Sequence, residues 1–197
     1  MKVWLNERFV KLCRTRPEGT DYHYVATRKE VSLLYHAFEA DPTQKTLLLY
    51  ADDYARLKSH FFDQFNIVVA AGGFVKNEYG EILFIFRRGR WDLPKGKLNS
   101  KKDAVEKKQD AAVREVMEET GLQQVELVGK MARTCHIFFE KRQRWLKKTF
   151  WYEMRAPKDQ PVKPQTEEDI TEVRWIRPED LPHTLEGAYP SLRKLFA

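Results

Sequence analysis

Only two cysteines, Cys13 and Cys135, occur in the 197 residues. They stand far apart, without the spacing of a metal-ligating pair, so neither a disulfide framework nor a cysteine zinc site is expected. The pattern fits a reducing compartment and idle or buried thiols. Long apolar runs are also missing. The longest, from Ile67 to Val75, is far too short to cross a bilayer. The opening MKVWLNERFV lacks the apolar core of a secretory leader. There are no internal repeats and no low-complexity tails. These absences predict a cytoplasmic protein with no membrane contact.

What is present suffices for a folded core: 42% of residues are hydrophobic and 13% aromatic. The length suits one domain of usual size with a smaller appendage. Lys and Arg number 35 against 29 Asp and Glu, a net charge of +6. That balance favours anionic partners such as nucleotides, polyphosphates or RNA.

Residues 1–64 read as a small α+β unit. Lys2–Leu5 and Arg8–Cys13 are strand-like around an Asn6-Glu7 turn. Tyr22–Ala26 is a further strand candidate. Thr27 and Glu30 form a capping box for a helix with Val31, Leu34, Tyr35 and Phe38 as its stripe. Asp41-Pro42 ends it. Thr46–Tyr50 is a strand, and Asp52 or Asp53 caps a second helix reaching Phe62. No phosphate loop or nucleophile-base pairing occurs here. Dimerisation, partner binding and control of substrate access are all open roles for this unit, so a homodimer is one option.

From residue 65 the pattern changes. Phe65–Val75 is a continuous apolar strand in which Gly72-Gly73 permits close backbone approach. Asn77–Gly80 is a turn, and Glu81–Arg88 a returning strand. Arg87, Arg88, Arg90 and then Lys95 follow, and Trp91-Asp92-Leu93-Pro94-Lys95-Gly96 closes the segment. Guanidinium groups match phosphate oxygens, so Arg87, Arg88 and Arg90, together with Lys95, form a candidate phosphate clamp, with Arg88, Arg90 and Lys95 as the substrate contacts.

The stretch from Gly96 to Leu122 organises the chain. Ser100 with Asp103 resembles a capping box, and Gly121 is a natural helix stop. Good helix formers lie between them. Val105, Ala112, Val113, Val116 and Met117 mark a buried stripe. The other face carries Glu115, Glu118 and Glu119, close enough to converge. Each like-charge pair at that spacing costs about 0.2–0.5 kcal/mol. The helix dipole disfavours anions at this end as well. A divalent cation would make such a cluster tolerable, and Mg2+ takes carboxylate oxygens while sharing its shell with phosphates.

Arg114-Glu115-Val116-Met117-Glu118-Glu119-Thr120-Gly121-Leu122 is similar to the second half of the Nudix box. Glu106 stands at the box's spacing before Arg114. Ser100 occupies the nominal place of the opening glycine, and Gly96 is its counterpart if the following loop is lengthened. The Leu-Pro-Lys-Gly loop resembles that of Nudix enzymes acting on diadenosine polyphosphates.

The resemblance implies an α/β fold: a Nudix-type α/β/α sandwich with a mixed sheet over residues 65–197, preceded by the α+β unit. It implies hydrolysis of a pyrophosphate bond in a nucleoside diphosphate linked to X, dependent on Mg2+ or on Mn2+ in its place. Glu115, Glu118, Glu119 and the Gly96 carbonyl would hold metal. Arg114 would orient the cluster through Glu106 or Glu115. Glu115 or Glu168 would be the general base. An RNA 5′-pyrophosphohydrolase and a nucleotide sensor without turnover are the other readings.

Beyond the box, Val125–Val128 is a short strand, and Ala132–Phe139 pairs with Arg144–Arg155. Lys148, with Lys147 and His136, is placed along a substrate groove. Glu172–Ile176 is the last strand, and Ser191–Phe196 closes a terminal helical segment.

Overall fold

The computed structural model describes residues 1–19, 21–101 and 104–196. Two compact units divide the chain: Met1–Val68 with Cys135–Lys147, and Val69–Thr134 with Lys148–Ala197. The division at 64/65 read from sequence therefore differs in detail. Cys135, Ile137 and Leu146 are buried in the first unit's core. Such a long-range contact has no local sequence signal.

In the first unit the elements are β1 (Lys2–Leu5), β2 (Arg8–Cys13), β3 (His23–Tyr24), α1 (Arg28–Ala40), β4 (Thr46–Tyr50) and α2 (Tyr54–Phe62). Asn6 takes positive φ, 53°, in the β1–β2 turn. The expected capping box is present: Thr27 accepts from the Glu30 amide, and Glu30 accepts from the Thr27 amide. Asp53 caps α2 through the Arg56 amide at 2.9 Å. Val3, Leu5, Val10, Leu12, Leu47 and Leu49 point to one side of the sheet. There they meet Val31, Tyr35 and Phe38 of α1 and Leu57 and Phe61 of α2. Residues 135–147 add a hairpin beside β1, with Trp4 opposite His136 in parallel register. Arg144 of this hairpin grips Glu39 of α1 with Nε at 2.9 Å.

The second unit is built from β5 (Asn66–Lys76), β6 (Ile82–Arg87), β7 (Arg90–Asp92), β8 (Lys95–Lys97), β9 (Ser100–Lys101), β10 (Ala104–Val105) and α3 (Lys108–Thr120). There follow β11 (Glu126–Glu140), β12 (Gln143–Arg155), a 3-10 turn (Thr166–Glu168), β13 (Ile170–Ile176), α4 (Leu181–Glu186) and α5 (Pro190–Arg193). The strand order is β13-β6-β5-β12-β11, with β7 added to β6 and β8 to β5. Helix α3 packs its Ala111, Ala112 and Val116 with Ala71, Val75 and Leu83 of the sheet. On the other side Ala188 and Leu192 join Phe74, Phe84 and Trp151. This is the α/β/α layering the resemblance implied. No helix among the described residues is long and apolar enough to cross a membrane.

Three expectations are corrected. Helix α3 starts at Lys108, with Lys107 as an N-cap that makes no side-chain bond. Ser100 and Val105 instead lie in the paired strands β9 and β10, and Asp103 falls outside the described residues. The physical reason is Glu106. Its amide donates to Asn99 O at 3.1 Å, and its carboxylate accepts from the Asn99 amide at 2.9 Å. These bonds close a loop at its base, where the capping-box reading needed a helix. Secondly, Val125–Val128 is not a separate strand, because β11 runs unbroken from Glu126 to Glu140. Thirdly, the closing helix is Pro190–Arg193, shorter than the Ser191–Phe196 span expected.

Candidate active site

Strand β8 brings Gly96 against the middle of α3. Gly96 pairs with Ala71 of β5. A Cβ at Gly96 would lie 1.8 Å from Glu115 Oε2, so only glycine lets the strand approach the carboxylate this closely. Gly72 serves the same approach one register step away, where a Cβ would meet Pro94 O at 2.3 Å. At the far end of α3, Gly121 takes φ 77° and donates its amide to Met117 O at 2.9 Å.

The acidic residues do not form one solvated face opposite the apolar stripe. Glu115 is 5% exposed and Glu119 fully buried, alongside Ala112 and Val116. Only Glu118 reaches solvent. Burial sets their electrostatics. It pushes the Glu115 carboxyl above its ordinary range, against the pull of Arg114. It pushes Glu119 up to about 7, against Lys95 and Arg87.

Arg114 ties the cluster together. Its Nε and Nη2 both donate to Glu106 at 2.9 Å. Nη1 donates to Glu115 Oε1 at 2.8 Å and to Glu118 Oε2 at 2.7 Å. Nη2 also reaches Lys97 O at 3.1 Å. The paired guanidinium holds Glu106 well below the usual carboxylate range. The same contacts raise the Arg114 pKa, led by Glu106, so its charge is secure. The orienting role expected of Arg114 thus engages Glu106 and Glu115 together.

Glu119 turns the other way. Its Oε2 accepts the Lys95 backbone amide at 2.7 Å, and its Oε1 lies 3.5 Å from Arg87 Nη1. Arg87 Nη2 in turn donates to Glu168 Oε2 at 2.9 Å. Glu168, a general-base candidate, is therefore brought to the cluster through Arg87. The sequence offers Arg87 as one arm of a phosphate clamp and gives no sign of its carboxylate partners. Strand parity carried the missing signal: Leu83 packs on the α3 side, so Arg87 points there as well.

Other predicted contacts are dispersed. Lys95 is 8% exposed, and its Nζ pairs with Asp92 at 2.6 Å. Burial lowers its pKa, but Asp92 and Glu119 outweigh that and the net shift is upward. Its charge is spent inside the fold, and its backbone amide serves the site instead. Arg88 is exposed and pairs with Asp169 at 3.0 Å. The exposed Arg90 lies over the Tyr189 ring at 5.1 Å. Lys148 is half-buried on β12.

Among the described residues, no three His, Cys, Asp or Glu side chains are gathered to hold a metal. Glu115 and Glu118 face Arg114, while Glu119 faces the Lys95 amide. The single patch expected from helix spacing is thus divided between two donors. The donor chemistry nonetheless fits a hard divalent cation. It offers oxygen donors only, and two of the carboxylates are on side chains whose burial leaves their charge under-compensated.

Comparison with known proteins gives the family. A stretch of 104 residues is 31% identical to the m7GpppN-mRNA hydrolase dcap-2 of Caenorhabditis elegans, covering 49% of this chain and 11% of that protein. The chain thus spans about a tenth of that relative's length. The MutT protein from Methanosarcina mazei Go1 superposes with a TM-score of 0.51 at 23% identity, over 68% of this chain and 92% of its own. A C. elegans Ap4A hydrolase superposes with a TM-score of 0.47 at 20% identity, over 65% and 91%. The NUDIX domain model matches residues 66–197, which hold Gly96, the Arg114 clamp and the buried glutamates: the chain belongs to the Nudix hydrolase family.

Proposed function

We propose that the chain hydrolyses a pyrophosphate bond in a nucleoside diphosphate linked to a further group, using Mg2+ or Mn2+. The observation that carries this reading is the pair of buried carboxylates, Glu115 and Glu119, packed against a glycine strand and flanked by arginines. Buried acids with raised pKa in a basic surrounding are costly for a fold and useful to a catalyst.

Glu115, Glu118, Glu119 and the Gly96 carbonyl would hold the cation. When bound, it supplies charge to the phosphate oxygens and an activated water. Arg114 fixes Glu115 and Glu118 in place. Glu115 or Glu168 takes the proton of the attacking water. Arg87 holds Glu168 beside Glu119.

The Leu93-Pro94-Lys95-Gly96 loop favours a dinucleoside polyphosphate as substrate. The identity to an mRNA-cap hydrolase and the net charge of +6 support a second reading, in which the phosphates belong to an RNA 5′ end. A panel of dinucleoside polyphosphates, sugar nucleotides, nucleoside triphosphates and capped RNA with Mg2+ separates the two through product identity. Glu119→Gln is expected to lower turnover by about 1000-fold while the circular dichroism spectrum is kept. Near-normal turnover in Glu119→Gln would overturn the scheme.

A further inference from the structure

The first unit's sheet has one face covered by α1 and α2, and a second face of different character. On the covered side Val3, Leu5, Val10, Leu12, Leu47, Leu49, Ile137 and Leu146 join the core. Strand alternation sends Lys2, Trp4, Phe9 and Lys11 to the other side. The hairpin sends His136, Phe138, Trp145 and Lys147 the same way. Trp4, Phe9, Phe138 and Trp145 are half-buried, yet none packs onto any of the three hydrophobic clusters.

These rings lie on one another instead. Trp4 meets Phe9 edge-on at 5.2 Å. Trp4 stands opposite His136 in the sheet, and His136 lies 5.8 Å from Phe138. Phe138 stacks on Trp145 across the hairpin at 6.4 Å, with planes 20° apart. The Lys2 ammonium sits over Phe9 at 4.3 Å, and Lys11 is its register partner on β2. Strands β1, β2 and β4 contain no acidic residue, and on the hairpin the one carboxylate of the same parity as His136 and Phe138 is Glu140, at the end of β11.

A sheet face with a row of half-buried aromatic rings and lysines at its margin has a specific chemistry. Every nucleobase has a π-face that stacks on such rings, and lysines beside them neutralise the connecting phosphates. A protein partner of ordinary composition would use the rings but not the excess of lysines. A second copy of this chain would bring like charge against like.

We propose that this face of the first unit binds single-stranded nucleic acid, with bases stacked on Trp4, Phe138 and Trp145 and phosphates on Lys2 and Lys11. The proposal goes beyond the hydrolase reading and does not depend on which substrate the second unit cleaves.

The test uses the full chain and a fluorescein-labelled oligouridine of roughly 12 nucleotides, followed by anisotropy. Binding is expected with quenching of tryptophan fluorescence, and with log affinity falling against log salt at a slope of about −1.4 for two phosphate contacts. Trp4→Ala and Trp145→Ala are each expected to weaken binding about tenfold. Lys2→Glu combined with Lys11→Glu, both exposed, should flatten the salt slope without threatening the fold. Mg2+-dependent hydrolysis of a dinucleoside polyphosphate should persist in all of these variants, so loss of strand binding is read apart from loss of the enzyme. The proposal fails if the strand does not bind below about 100 µM, the weak end of non-specific affinity. It also fails if duplex of the same length binds equally, or if all the variants bind like the wild type. Sedimentation showing a dimer that Trp4→Ala dissociates, with strand binding unchanged, would assign the face to self-association instead.

Discussion

The burial of Glu119 makes a quantitative prediction about stability. In the fold its carboxyl is pushed from an ordinary 4.5 up to about 7, chiefly by burial, and in the unfolded chain it returns to the ordinary value. Between those two values the folded protein keeps a proton that the unfolded chain releases. Stability therefore falls as pH rises through that window, and it levels off above about 7. At about 1.36 kcal/mol per pH unit, the loss is on the order of 3 kcal/mol. For a chain of this size that corresponds to roughly 6–12 °C in the unfolding midpoint. The assay is thermal unfolding in EDTA from pH 5 to pH 8. Other groups titrate over the same range, so Glu119→Gln is the reference. It keeps an oxygen for the Lys95 amide and removes the charge. At pH 8 in EDTA the variant is expected to be the more stable protein, and the gap should close toward pH 5. Adding Mg2+ should raise the wild type preferentially. The reasoning is refuted if the variant is less stable than wild type at pH 8 in EDTA, or if the gap between them is independent of pH.

Other predictions follow from the same geometry. Gly96→Ala places a methyl group on the Glu115 carboxylate and should cut kcat about 100-fold, since ångström-scale misplacement costs that much; steady-state kinetics with a circular dichroism control decides. Arg114→Lys loses the fork that engages Glu106, Glu115 and Glu118 together and should lower kcat about 10–100-fold; unchanged kcat would show that the clamp does not position the carboxylates. Gly121→Ala meets φ 77° and the Lys163 backbone, and should cost about 1–2 kcal/mol or more in urea unfolding; a neutral result would mean that the helix end relaxes freely.

Much of the local structure is legible in the sequence. The Thr27–Glu30 box and the turn at Asn6-Glu7 are short-range devices, and both stand where the residues put them. Strand β4 and the end of α3 at Gly121 are further cases. The start of α3 was misread because Ser100 and Asp103 satisfy a local capping rule. Glu106 decides the matter through bonds to Asn99 and to Arg114, eight residues further on. Lys95 differs: its partner Asp92 is only three residues back, but the burial that closes the pair at 2.6 Å comes from the fold.

By itself the sequence determined the chemistry on offer: three glutamates and an arginine at helical spacing, a glycine strand before them, and a surplus of positive charge. Tertiary structure decided what that chemistry experiences. It buried Glu115 and Glu119, divided the carboxylates between Arg114 and the Lys95 amide, and brought Glu168 in through Arg87. Helix spacing reports which side chains are neighbours, whereas desolvation depends on what the rest of the chain lays over them, and a proton's affinity follows desolvation.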